Sequence, residues 1–386
     1  MKKSKIKIRL LVMAFMLLIS GFVLSPSIKS QEEGKPLELT LNDALKLALS
    51  NSQQLQLAQI SIEKAKLYKD VIEFNDKEAK EKEKAGMLTL STSDFDYKYQ
   101  TELQKKQAEF QVTMAELSRE AAEKMVRYSC IALYYKALLA DQNYEIKKSS
   151  LKRAQDMLKI AQENFEQGLI AKKDLMDADL KVSQAQTELK SAEVEKEKAF
   201  LDLKRVLNIP PDMSVVLKDN LNLPTNEEIE GLQQLIEKAM ENRMDVVQAK
   251  KGLEIAGYDF DMIKKVYPEN TFKYKEKELS LKEAQVKYED AKNKAENEVR
   301  KVYLDFIATK DNLGVFDKMV EFAKESYRLS LLNYKEGIIR SVDLAQAEEA
   351  LKQAELQKAY GIFQYYLSKL NLENVVYIPL STSVSQ

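Results

Sequence analysis

A twelve-residue stretch is written twice in this chain, and each copy lies between two long apolar seams of helical period. Asn164-Phe165-Glu166-Gln167-Gly168-Leu169-Ile170-Ala171-Lys172-Lys173-Asp174-Leu175 returns 169 positions later as Asn333-Tyr334-Lys335-Glu336-Gly337-Ile338-Ile339-Arg340-Ser341-Val342-Asp343-Leu344. Before the first copy, Leu151, Ala154, Leu158, Ala161 and Phe165 are spaced 3, 4, 3 and 4 apart. After it, Leu175, Ala178, Val182, Ala185, Leu189 and Ala192 continue the rhythm. Such heptad spacing predicts two helices that meet at Gly168. Glycine closes a helix in the left-handed conformation, and an aspartate six residues on caps the next helix or favours its first turn. The stretch therefore predicts the tip of an antiparallel helical hairpin, at 168 and again at 337.

A second repetition lies upstream, at an offset of 191. Ala48, Leu49, Asn51, Leu55, Ala58, Ile62, Glu63 and Ala65 correspond to Ala239, Met240, Asn242, Val246, Ala249, Leu253, Glu254 and Ala256. Two repetitions in the same order predict two tandem copies of one unit. The first spans 31–207, with a helix, a connector over 86–99 and a hairpin; the second spans 231–372, with its connector over 267–275. Residues 208–230 link them, and 373–386 form a tail. From about Thr101 to Gln167 neither proline nor glycine interrupts the pattern, which predicts a helix roughly 100 Å long. The expected fold is all-α, two tandem repeats of long antiparallel hairpins of coiled-coil or α-barrel type, with at most a small β element near the junction. For that element, Val375-Val376-Tyr377-Ile378 is the candidate partner of Val215-Val216-Leu217. Leu88, Leu90, Phe95, Tyr97 and Tyr99 in the first connector alternate as two very short strands would.

Composition enters mainly by exclusion. Histidine is absent and Cys130 is the single cysteine, so the commonest general base, the commonest metal ligand and any internal disulfide are missing. The 60 lysines and arginines nearly balance 61 acidic residues, which leaves no basic field to hold nucleic acid. Asp174, Asp177 and Asp179 could pass for paired catalytic carboxylates, but no third catalytic group accompanies them. The charge-rich stretch from Glu73 to Lys84 reads most simply as a solvated helix, with partner docking the lesser option. No cofactor is expected. At the N-terminus, Lys2, Lys3, Lys5, Lys7 and Arg9 precede the apolar run from Leu10 to Leu24 and then Ser25-Pro26-Ser27. This is the pattern of a secretory signal cut near Ser30, the alternative being a retained anchor, for which the run is short. Residues 1–30 carry six positive and no negative charges, which leaves 54 cations against 61 anions and a net charge of −7 for the exported chain.

At this point the residues resemble a known family, the outer membrane efflux proteins typified by TolC. The likeness rests on Ala48-Leu49-Ser50-Asn51 and Ala239-Met240-Glu241-Asn242, on Glu298-Val299-Arg300-Lys301-Val302-Tyr303-Leu304, and on the two turn-and-return stretches around Gly168 and Gly337. In order, these cover nearly all of residues 39–372. The resemblance implies a homotrimer whose hairpins form a hollow twelve-helix tube, the exit duct of an efflux or type I secretion system. It implies too that Gly168, Leu169, Gly337 and Ile338 are tips facing a periplasmic-type adaptor linked to an inner-membrane pump. Asp343 falls on an aspartate of the family's constricting ring, where the next ring position is Gln346, and Asp174 and Asp177 are the first-copy candidates for that aperture. The chain departs from the family in its connectors: a spanning strand needs about 9 to 11 residues, and neither connector can supply two.

Two readings follow. One is a TolC-like duct in the cell envelope conducting passively; the other is an exported helical spacer that keeps the fold and forms no pore. An exported enzyme is opposed by the missing histidine and pocket motifs.

Overall fold

The computed structural model describes residues 36–87, 94–224 and 229–380. Among them lie eight helices and two three-residue strands: β1 (Leu37–Leu39), α1 (Leu41–Asn51), α2 (Gln53–Lys84), α3 (Phe95–Glu166), α4 (Lys172–Leu207), β2 (Val215–Leu217), α5 (Leu232–Asn242), α6 (Met244–Ile263), α7 (Phe272–Lys335) and α8 (Ser341–Asn374). The fold is all-α. The expected signal segment 1–30 and residues 88–93 of the first connector lie outside the described residues.

The two longest helices, α3 with 72 residues and α7 with 64, organise everything else. At 1.5 Å per residue they run about 108 and 96 Å. Toward its C-terminal end α3 packs against α4, and toward its N-terminal end against α2; α7 is flanked likewise by α8 and by α5 and α6. The two hairpins meet through α3 and α8. The lateral order of the four hairpin helices is therefore α4, α3, α8, α7, with α4 and α7 at the two margins.

Both copies build their cores from equivalent positions. In the first, Ala44, Ala48, Cys130, Ala137, Leu203 and Leu207 are buried together. Their counterparts at the two offsets, Leu235, Ala239, Val299, Phe306, Leu372 and Val376, form the core of the second. Small side chains of the first copy correspond to large ones of the second (Ala137 to Phe306, Ala44 to Leu235), so the packing is equivalent in position rather than in shape. Burial pushes the Cys130 thiol up to about 12, as expected for a small hydrophobe rather than a nucleophile.

Several local expectations are corrected. The β partner of Val215–Leu217 is not the tail but Leu37–Leu39, paired in parallel with Leu37 opposite Val215. The bond that pins this strand comes from α3: the Tyr134 hydroxyl lies 3.0 Å from the Leu39 carbonyl and donates to Asp219 at 2.7 Å, and Asp219 accepts from the Leu41 N–H. The tail instead buries Val375 and Val376 against α5 and α7, and Ile378 is buried as well. Phe95, Tyr97 and Tyr99 belong to α3 rather than to strands, the two tyrosine hydroxyls being held by neighbouring helices. Tyr97 donates to Asp76 on α2 at 3.1 Å, and Tyr99 donates to Asp259 on α6. The connectors accordingly run 85–94 and 264–271 instead of 86–99 and 267–275, and α8 continues to Asn374.

Each repeat's first helix is also broken in two, at Ser52 and at Arg243, neither marked by glycine or proline. The Ser52 side chain caps α2 by accepting from the Leu55 N–H. At the second break Arg243, 1% exposed, is held by Asp245 at 2.9 Å, by Glu298 and by the Val375 carbonyl. Glu298 in turn accepts from the Leu380 N–H at 2.6 Å. This one guanidinium ties α5, α6, α7 and the tail. Its removal leaves a carboxylate without its partner, so Arg243→Ala should lower stability by about 3 kcal/mol in denaturant unfolding. Arg300→Ala on the exposed face of α7 should change it by less than about 0.5 kcal/mol.

Candidate functional site

The two hairpin tips carry the expected functional residues. α3 ends in a Schellman closure: the Gly168 N–H donates to the Phe165 carbonyl at 2.9 Å and the Leu169 N–H to the Asn164 carbonyl at 2.8 Å. Gly337 and Ile338 repeat it on Tyr334 and Asn333 at 3.1 and 2.8 Å. Gly168 and Gly337 sit at φ +74° and +68°, the region where a Cβ is strained. The closure fixes the next residue outward, and Leu169 and Ile338 stand 68% and 70% exposed.

The capping residue of each returning helix lies three residues before its aspartate. Asp174 accepts from the Ala171 N–H at 3.3 Å and Asp343 from the Arg340 N–H at 3.1 Å, so both serve the first turn and neither is the capping residue itself. The Arg340 side chain also lies 3.4 Å from Asp343. These hydrogen bonds from Arg340 hold the Asp343 carboxyl below its ordinary value.

The tips lie side by side. Leu169, Ile170 and Asp174 from one and Tyr334, Ile338 and Arg340 from the other line a cleft of about 640 Å³ between them. Beneath it Tyr334 packs with Met157 and Leu344, joining α7, α3 and α8. Burial, and then the nearby Asp174 charge, raise the Tyr334 pKa. The structure thus brings Gly168, Leu169, Gly337, Ile338 and Asp174 to one site. Asp177 and Asp343 lie outside the cleft, on the second turn of α4 and the first turn of α8.

Sequence reasoning missed a set of ionic rungs between the hairpins, farther from the tips. Glu348 of α8 accepts from Ser150 at 2.8 Å and from Arg153 at 3.2 Å, and Arg153 reaches Glu355 at 3.3 Å. Lys352, 5% exposed, pairs with Glu188 of α4 at 3.1 Å, which also pairs with Lys147 of α3 at 2.8 Å. The polar positions 348, 352 and 355 follow the same 4, 3 spacing as an apolar seam, which was the available signal. Among the described residues no three His, Cys, Asp or Glu side chains gather as metal ligands.

No protein-family model matches the sequence, and no curated protein matches it by sequence. Solved structures do match. The outer membrane protein VceC from Vibrio cholerae superposes with a TM-score of 0.68 over 87% of this chain and 96% of that one, at 15% identity. The Campylobacter jejuni CmeC outer membrane channel gives a TM-score of 0.66 over 87% and 85%, at 16% identity. The open state of the Neisseria gonorrhoeae MtrE outer membrane channel gives 0.67 over 90% and 91%, at 14%. The fold is that of outer membrane channel proteins. At these identities the likeness is one of architecture.

The rungs predict a response to acid. Burial would raise the Glu188 pKa, but the hydrogen bonds from Lys147 and Lys352 outweigh it and the net shift is downward from 4.5. Burial pulls Lys352 down, yet Glu349 and Glu188 outweigh it and the net shift is upward from 10.5. A depressed carboxylate stabilises the fold above its unfolded pKa and loses that effect as pH falls through the folded one; the raised lysine is lost only above about pH 10.5. Between about pH 5 and pH 3 the melting temperature of Glu188→Gln should therefore fall less than that of the unaltered chain. Parallel melts by circular dichroism check this.

Proposed function

We propose that this chain is the subunit of a closed helical duct in the cell envelope, a TolC-like exit conduit that conducts passively for an efflux or type I secretion system. The observation that carries the reading is where the wet apolar side chains lie. On the interior helix α3 the one large apolar residue that is substantially exposed is Phe165, beside the tip. The margin helix α4 exposes Met176, Leu180, Val194 and Leu201, and α7 exposes nine such residues, Leu304, Val315, Phe322 and Leu329 among them. The two margins differ, so each copy offers one kind of edge to the other kind on the next copy. Contacts of this head-to-tail type close into rings when the rotation allows. Four hairpin helices per chain and the twelve-helix tube of the resembling family give three chains.

Within such a ring three pairs of tips face one way, and a periplasmic-type adaptor linked to an inner-membrane pump is their proposed partner. Asp343, with Asp174 and Asp177, would repeat around that end as the aperture. The second reading, a spacer that forms no pore, is supported by one observation: the connector between α6 and α7 is eight residues without a strand, 264–271.

Light scattering on the chain from Gln31 at micromolar concentration separates the two. The duct requires a trimer, and Leu180→Glu combined with Phe322→Glu should return it to a monomer with unchanged helix content. A monomer before substitution would leave the spacer reading. Leu169→Asp with Ile338→Asp should reduce capture of a cognate adaptor about tenfold without altering the trimer.

A further inference from the structure

We draw no further inference here: the strongest candidate, the exposed apolar seam of Leu57, Ile60, Leu67, Val71 and Phe74 along α2, is covered by a second copy only within the ring already proposed, and nothing in the structure shows any other partner for it.

Discussion

A helix of 72 residues has no core of its own, and everything in this structure answers to that. A cylinder about 108 Å long buries one stripe for each neighbour it acquires, and its other stripes stay wet until another neighbour arrives. α3 has neighbours on several sides: α4 and α2 along its two halves, and α8 across the hairpin boundary. The margin helices α4 and α7 are supplied with partners on fewer sides, and their apolar side chains remain in water. α3 is thus nearly satisfied within one chain and the margins are not, which is why the proposed duct sets a lateral partner against them.

Apolar seams alone leave the axial register of such helices loosely defined, because successive heptads look alike. The ionic rungs remove that ambiguity. Sliding α8 by one turn along α3 would separate Glu348 from Ser150 and Arg153, and Lys352 from Glu188. With Lys352 almost fully buried, such a slip strands a charge away from both water and its partner. The Tyr135 and Tyr366 rings, stacked at 4.3 Å, mark the same register nearer the cores. The rungs therefore contribute less as net attraction than as a penalty on every misaligned arrangement. Register in turn sets Gly168 and Gly337 at one level, which is what makes a paired tip.

What was legible in the sequence is what local chemistry determines. Gly168 and Gly337 announce left-handed closures by their identity, the heptads announce long helices, and the duplication announces two equivalent units. What was hidden depends on residues far apart in the chain. Nothing near Arg243 signals a helix break, because its partners Glu298 and Val375 lie 55 and 132 positions away. Leu37–Leu39 pairs across 178 residues in strands too short to show alternation. Phe95, Tyr97 and Tyr99 alternate as a strand would, yet Asp76 and Asp259 hold the Tyr97 and Tyr99 hydroxyls in a helix, and only the neighbours decide. At the candidate site the exposed tips followed from the turn chemistry, whereas the cleft between them required knowing which helices lie side by side.

The account stands or falls on whether the α4 margin of one copy meets the α7 margin of the next. Leu201 and Leu304 each lie 33 residues from their own tip glycine, one on each margin, and the single native thiol, Cys130, is buried. Treating the Leu201→Cys, Leu304→Cys double variant with a short bismaleimide and resolving the products on a denaturing gel measures that meeting directly. The account requires dimer and trimer bands that stop at three, and no band above monomer from either single variant. Monomer alone, or a ladder that continues past three, would contradict a closed ring of three chains.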